Sequence, residues 1–563
     1  MINEANRDLD TVVAAFSSGK VNRRDFIRKA TALGLSTGMA GALATAWSGQ
    51  VRAQSTTTTD QPAGEFDYIV VGSGSAGSAA VHQLAKSGAS ILVLEAGRKD
   101  DLEEVHNSVL WGAALGTDAT KWFQTLPSTH TDGRAHLWPR GNVLGGSSAI
   151  NVMVYVRGHK SDFDTWAEMG ATGWSFEDVL PTFMDMETFE PGGVNRGTNG
   201  PLFVSQPTED KKHPGAQAFM DAATAMGFAP TESINSERLE GPAWIDFNIK
   251  DTRRQSSSTA FLAPAMATGN VTLLTDAPVQ KLDIEGTTCT GVTYLHNGQP
   301  VSVKAGAEVI LAAGAIDSPR LLMLSGIGPA EDLKAVGIDA IADLPVGQGL
   351  QDHILGAGVT IETKGPVPVS QYNHCEAVMW ERSDSSMRAP DTVALYASAP
   401  FVSQGHKVEF EHAFSLLSGV TTPASRGYVK LASSDIADAP IIETNYLAEE
   451  QDWKSYRAST EICREIGASE YYNDVRKREL LPEKDGELTE TEWREFLAKS
   501  VNTYFHPTST CQIAKVVDPE LRVYGIDRLR VADASVMPII TATNTNAASM
   551  MIGWRAGDMV AGS

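Results

Sequence analysis

Phe66-Asp67-Tyr68-Ile69-Val70-Val71-Gly72-Ser73-Gly74-Ser75-Ala76-Gly77 carries an apolar, β-rich run into a Gly-x-Gly-x-x-Gly turn. A helix-length segment rich in Ala and Leu follows over Ser78 to Gly88. A second apolar run, Ile91-Leu92-Val93-Leu94, then ends on Glu95 before Ala96 and Gly97. Strand, glycine turn, helix, strand and acid in this order form a dinucleotide-binding βαβ unit. Gly72 permits the tight turn. Gly74, with Ser75 and Ala76, lets a pyrophosphate approach the backbone at the helix N-terminus, and Gly77 lets the helix sit close on the strand. Glu95 stands 23 residues after Gly72, where an acid reaches adenosine ribose hydroxyls. Three glycines alone would say little; in this setting they specify a dinucleotide. NAD, NADP and FAD all remain open.

A chain of 563 residues is too long for one ordinary core and suggests two domains or more. With 42% hydrophobic and 7% aromatic residues, the composition is that of a soluble globular protein. The net charge of −23 argues against nucleic-acid partners, which require a basic surface, and against adhesion to an anionic membrane. Cys289, Cys375, Cys463 and Cys511 are far apart and form no C-x-x-C pair. The expectation is therefore neither a metal site nor a disulfide framework.

Residues 1–53 are a different kind of sequence. Asn22-Arg23-Arg24-Asp25-Phe26-Ile27-Arg28-Lys29 precedes an uncharged Ala/Gly/Leu/Thr stretch, Ala30 to Val51, and Val51-Arg52-Ala53 offers small residues for cleavage. The stretch is too rich in Gly and Thr for a good membrane-spanning helix, and no stable membrane insertion is expected. Twin arginine, modest hydrophobicity and the Ala53 site resemble a twin-arginine export signal, implying a periplasmic or otherwise exported protein. Its removal takes away seven Lys/Arg and four Asp/Glu, leaving −26. Residues 54–64 read as a Thr-rich linker.

Farther on, loop-like sequence from Gly97 to Ser128 has Trp111 and Trp122 as expected packing points. Trp138-Pro139-Arg140-Gly141-Asn142-Val143-Leu144-Gly145-Gly146-Ser147-Ser148-Ala149-Ile150-Asn151 then supplies a small, donor-rich loop. This segment, from Gly141 through Asp164, resembles the first signature of the glucose–methanol–choline (GMC) family of flavin oxidoreductases. Gly314-Ala315-Ile316-Asp317-Ser318-Pro319-Arg320-Leu321-Leu322-Met323-Leu324-Ser325-Gly326-Ile327-Gly328 resembles the second. The resemblance spans Phe66 to Val560 and implies FAD as the dinucleotide. It implies an α/β fold (α+β overall) in which a Rossmann-like FAD-binding domain (65–160, 241–342 and 501–563) is interleaved with a substrate-binding domain (161–240 and 343–500). Strand-like runs such as Val271 to Thr275, Val279 to Ile284, Glu308 to Gly314 and Val408 to Leu417 suit that alternation, as do helix-like runs over Phe176 to Glu187 and Trp453 to Ile466. The substrate domain is expected as an antiparallel sheet backed by helices.

Oxidising an alcohol requires a hydride acceptor and a base for the hydroxyl proton, a role suited to neutral His. Of twelve histidines, His506 stands in Tyr504-Phe505-His506-Pro507-Thr508-Ser509-Thr510-Cys511, which resembles the family's His-Pro-x-x-Thr-Cys segment, with Ser509 where Gly is frequent. The resemblance makes His506 the base. It makes Asn544, seven residues after Met537, the group that holds the alcohol oxygen, as in the choline-dehydrogenase-like branch. It implies FAD contacts at Ala96, Trp138, Arg140, Gly141, Leu144, Gly145, Gly146, Ser147, Asn151, Met153, Val154, Val279, Ala313, Gly314, Asp533, Ala534, Thr545 and Asn546. Leu529 to Ser535 reads as the strand delivering Asp533, and Ala547 to Val560 as a final helix whose N-terminus faces the flavin. Tyr504 and Phe505 are expected to line the substrate pocket, with His374, Trp380 and Phe401 as weaker candidates. Asp352 and His353 are read as holding a domain junction rather than doing chemistry. Cys511 reads as a small buried filler. Ile150 occupies the position where some relatives tether FAD through His, so a noncovalent flavin is expected.

The expected activity is FAD-dependent oxidation of an alcohol to an aldehyde or ketone, with a quinone, cytochrome or oxygen as external acceptor. A dehydrogenase is favoured over an oxygen-using oxidase. A lyase of the hydroxynitrile type, a light-driven decarboxylase and an electron-relay flavoprotein are the alternatives. They fit the His506/Asn544 pair less well.

Overall fold

The computed structural model describes residues 64–236, 238–482 and 486–562; the leader and the linker up to residue 63 lie outside the described residues. The glycine-turn unit opens a seven-stranded sheet. Its first elements are β1 (Glu65–Val71), α1 (Ser75–Leu84) and β2 (Ile91–Leu94). They are joined by β3 (Val271–Leu274), β4 (Val279–Glu285), β5 (Thr288–His296), β6 (Gln299–Leu311), α2 (Gly314–Leu324), β7 (Leu529–Val531) and α3 (Asn546–Ala561). The parallel strands run in the order β3-β2-β1-β6-β7, with Ile69 opposite both Leu92 and Val309. The N-terminal half of β6 forms an antiparallel meander with β5 and β4. Ile69, Val70 and all of β2 are buried, because a parallel sheet is covered on both faces.

Helices α1 and α3 pack at glycine contacts. A Cβ on Gly553 would lie 2.0 Å from the Ala76 carbonyl oxygen, and one on Gly557 would lie 2.6 Å from that of Ala80. α3 therefore fixes the glycine-turn helix from behind, with its own N-terminus near the turn.

The second sheet has six antiparallel strands in the order Arg476–Leu481, Ile354–Thr363, Ala413–Val420, Thr392–Ala397, Ala377–Glu381, Gly241–Trp244. Helices Glu450–Ala468 and Pro214–Ala225 cover it through Cys463, Ile466, Phe219 and Ala223. The described residues thus form a mixed α/β structure built on two main sheets, with a three-stranded sheet and three two-stranded pairs beside them.

Several sequence expectations shift. Helix α1 starts at Ser75, inside the glycine turn, rather than at Ser78, and gives way to a 3-10 turn after Leu84. The strand expected from Val408 begins at Ala413, and the one expected to reach Ser535 stops at Val531, before a 3-10 turn over Ala534–Val536. Phe123, not Trp122, is the buried packing point on Thr120–Gln124, because alternation turns Trp122 outward. Phe163, Trp166, Trp174 and Phe183 belong to the same apolar cluster as Ile69 and Leu92. The seam expected at Ser161 therefore falls inside a continuous core. Among the described residues, no helix is long and apolar enough to cross a membrane.

Candidate active site

The glycine turn and the Gly-Gly loop meet face to face. A Cβ on Gly146 would lie 2.7 Å from the Gly74 Cα, and one on Gly77 would lie 2.0 Å from the Gly72 carbonyl oxygen. The Gly145 amide donates to the Ser73 carbonyl at 3.1 Å. Beside this contact opens a cavity of about 370 Å³. Of the expected cofactor residues, Gly72, Gly74, Ser75, Ala76, Glu95, Ala96, Arg140, Gly141, Gly146, Ser147, Val279, Ala313, Gly314, Asp533 and Ala534 line it. Lys121, Asp317 and Arg320, which the sequence reading did not single out, close its outer side.

Glu95 is buried and already engaged. Its carboxylate accepts from the Ser73 amide (2.9 Å), the Ser73 hydroxyl (2.7 Å) and the Gly97 amide (2.8 Å), and burial raises its pKa. Asp533 accepts from the Gly314 amide (2.9 Å), the Ser318 hydroxyl (2.5 Å) and the Ser535 amide (2.8 Å). It thereby ties β7 to the start of α2. Asn546, at the head of α3, accepts from the Ser75 hydroxyl at 2.6 Å. Gly77, Leu144 and Gly145 stand behind the cavity wall rather than on it. Trp138 departs further, for its indole is fully buried in a cluster with Phe123, Leu350 and Tyr446.

The second constellation lies on the 503–508 segment. Gln351 and Ile354 bridge antiparallel to Thr508 and Thr503, so this segment is clamped to the entry of the second sheet. Phe505 takes φ 66°, a left-handed kink, and its carbonyl accepts from Arg140 at 2.8 Å. Past the kink, His506 stands between two side chains. Its Nδ1 shares a hydrogen bond with His353 Nδ1 at 3.0 Å, and its Nε2 meets Asn544 Nδ2 at 3.3 Å. The Tyr504 ring lies 4.5 Å from the His506 ring, centroid to centroid.

Electrostatics keep this group uncharged. Burial, then His353, then Arg140 hold His506 well below the usual histidine range. His353 is fully buried and pushed down to about 3. This geometry fits a neutral His506 with its lone pair on Nε2 and its proton on Nδ1, directed at His353. Asp352 accepts from the His506 amide (2.7 Å), the Thr503 hydroxyl (2.6 Å) and the Tyr446 hydroxyl; burial raises it to about 6. Asp352 does hold segments together as expected, but His353, assigned to the same junction, contacts His506 directly. Sequence reasoning missed that contact, although Gly349-Leu350-Gln351-Asp352-His353 was a visible signal.

Asn544 Oδ1 is buried without a hydrogen-bond partner, a free acceptor beside His506 Nε2. Met153, Val154 and Tyr504 share an apolar cluster with Leu355, Tyr372, Cys375 and Trp380, on which the partly exposed Trp111, Val152 and Phe401 pack. Trp380 is core rather than wall, at 1% exposure. His374 is tied to the Ser398 hydroxyl at 3.0 Å. Thr545 precedes α3 directly. All four cysteines are buried free thiols, and among the described residues no cluster of three or more His, Cys, Asp or Glu could hold a metal.

A glycine-lined cavity on a parallel sheet, with a neutral His/Asn pair at the edge of a second sheet, defines an oxidoreductase architecture of the dinucleotide class. The family description GMC oxidoreductase matches residues 66–355 in its N-terminal part and 423–553 in its C-terminal part. The chain belongs to the GMC oxidoreductase family. It is 37% identical over 533 residues to the oxygen-dependent choline dehydrogenase of Brucella suis, covering 88% of this chain and 96% of that one. It is 35% identical over 540 residues to human mitochondrial choline dehydrogenase, covering 88% and 90%. Pyridoxine 4-oxidase from Mesorbium loti superposes with a TM-score of 0.84 at 35% identity, over 88% of this chain and 99% of that one. Formate oxidase from Aspergillus oryzae superposes with a TM-score of 0.80 at 25% identity, over 88% and 98%.

Proposed function

We propose that this chain is an FAD-dependent enzyme that oxidises the CH–OH group of an alcohol to an aldehyde or ketone. The observation that carries the reading is the His506/Asn544 pair, a neutral imidazole whose Nε2 lies 3.3 Å from the amide nitrogen of Asn544. FAD suits the cavity, since Gly72, Gly74 and Gly146 line it with bare backbone where a pyrophosphate must approach and Glu95 stands at the end of β2. When bound, FAD supplies the hydride acceptor at N5. His506 Nε2 takes the hydroxyl proton, and the Asn544 amide nitrogen donates to the alcohol oxygen and holds it in line. His353 keeps the Nδ1 proton of His506 engaged, so that Nε2 is the basic nitrogen. Arg140 anchors the Phe505 carbonyl and with it the kink that presents His506. Ile150, an apolar side chain, offers no nucleophile to tether the cofactor, so the flavin is held without a covalent bond.

The apolar and aromatic side chains packed around Tyr504 support an uncharged substrate body. Nearby carboxylates are spent: Asp352 on three donors, and Glu376 on the His213 amide and the Ser370 hydroxyl. A quaternary ammonium would want a free carboxylate and an aromatic cage. An external acceptor (a quinone, a cytochrome or oxygen) then takes the electrons, with a dehydrogenase role favoured. The twin-arginine leader supports export after folding, and amino-terminal sequencing of the secreted protein checks cleavage near Ala53.

The reading is tested by mixing the purified yellow protein anaerobically with aliphatic, aromatic, polyether and choline-type alcohols and following flavin absorbance. Bleaching with neutral alcohols and not with choline is the expected result. No bleaching with any alcohol would refute alcohol oxidation, and bleaching by choline alone would refute the uncharged pocket. Colour that stays with the acid precipitate would refute noncovalent attachment.

A further inference from the structure

Arg254 closes the hairpin Ile249–Lys250/Arg253–Arg254 and leads into the π-helical turn Ser258–Leu262. It is 2% exposed. Its Nε donates to the Val105 carbonyl at 2.7 Å. Its Nη1 donates to the carbonyls of Ser148 (3.1 Å) and Asn151 (2.7 Å) and to Asn151 Oδ1 (2.7 Å). Nη2 is buried with no partner. Elsewhere a buried arginine is neutralised: Arg157 by Glu187, and Arg196 by Glu187 and Asp246. Among the described residues no carboxylate pairs with Arg254, and burial alone pushes it down to about 9, still cationic at neutral pH.

Three of its four acceptors belong to the Gly-Gly loop. The following residues grip the same loop, the Ser257 amide donating to the Ser148 hydroxyl at 2.9 Å and the two hydroxyls sharing a bond at 2.7 Å. Asn151 Oδ1 also accepts from the Met153 amide at 2.9 Å, where the chain turns through φ 59°. A cation taken out of water without a counter-charge is costly to the empty chain. Placed behind a ligand-binding loop, it favours whatever negative charge arises on the ligand.

We propose that Arg254 is a positioning residue that sets the 145–151 loop and the buried cation that favours the reduced, negatively charged flavin. This rests on FAD occupying the cavity. If the purified parent carries no FAD, that reading fails on its own, whereas Arg254 is judged only on FAD-loaded protein.

The test compares Arg254→Met and Arg254→Lys with the parent, by midpoint potential against reference dyes and by FAD dissociation constant. Arg254→Met lowers the ratio of reduced to oxidised flavin at equilibrium about tenfold, ~30 mV for a two-electron couple. Arg254→Lys, read at a pH low enough to keep the buried ammonium protonated, keeps the charge and holds the potential within about threefold of the parent ratio. Both weaken FAD binding about tenfold, because one ammonium cannot replace the planar fork. A parental potential in Arg254→Met, or an equal fall in Arg254→Lys, overturns the proposal. If Arg254→Met yields no FAD-loaded protein, Arg254→Gln replaces it as the uncharged variant: a parental potential there overturns the proposal, and a fall of about tenfold upholds it.

Discussion

His353 Nδ1 lies 3.0 Å from His506 Nδ1, with the two imidazole planes at 89°. This contact orients the proposed base from the side away from Asn544. His353→Ala is expected to lower kcat/KM on the order of 10–100-fold, the usual cost of removing a group that orients a functional histidine. The loss falls mainly on kcat, since His353 is buried behind His506. An unchanged kcat in a folded, FAD-loaded variant would remove His353 from the account.

Asp352 collects three donors, the His506 amide and the hydroxyls of Thr503 and Tyr446. Asp352→Asn leaves buried donors facing an amide group, at a cost of ~1–3 kcal/mol. A fall in Tm together with a fall in activity is expected. Parental Tm and turnover would show that the junction tolerates the change.

Two sets of buried groups oppose each other in acid. His136 and His353 are both held at about 3 by burial, and His506 is also depressed. The unfolded chain, titrating near 6.5, binds more protons than the folded chain below that pH, so stability present above 6.5 is lost as pH falls toward 3. Asp162 and Asp352 are raised by burial to about 7 and about 6. Their contribution is complete below the usual aspartate value of 3.8 and is lost as pH rises through 6 to 7. The sets offset each other between those limits. Tm measured against pH should therefore be flat down to about 4.5 and fall steeply below about 4. In the same way, the acid limb of kcat/KM should lie below pH 6.5, because His506 resists protonation.

Gly553 has no room for a side chain, as its Cβ would lie 2.0 Å from the Ala76 carbonyl oxygen. Gly553→Ala should force α3 away from α1, destabilise the protein by ~1–3 kcal/mol and weaken FAD retention. A thermal melt and a flavin release assay check both, and an unaltered melt would contradict this packing.

The parts legible in the sequence were those written in local pattern. Gly72, at φ 98°, and Gly77, whose Cβ would strike the Gly72 carbonyl, announced the turn because only glycine fits there, and the apolar runs of β1 and β2 matched a sheet covered on both faces. Their neighbours were not legible. Nothing local shows that Ser73 and Gly97 saturate Glu95, or that Trp166 and Phe183 join the first sheet's core rather than the second's. His353 and Arg254 act across 153 residues to His506 and 103 residues to Asn151. No periodicity reports such contacts. Trp138 shared a motif with the cavity residues, yet its indole is taken up by Phe123, and by Leu350 and Tyr446 from distant parts of the chain.

The central claim is that His506 takes the alcohol proton, and anaerobic stopped-flow reduction of the flavin by a competent alcohol tests it most directly. His506→Ala, loaded with FAD and folded, should bleach about 10²–10⁴-fold more slowly than the parent. Bleaching at the parental rate would contradict the assignment.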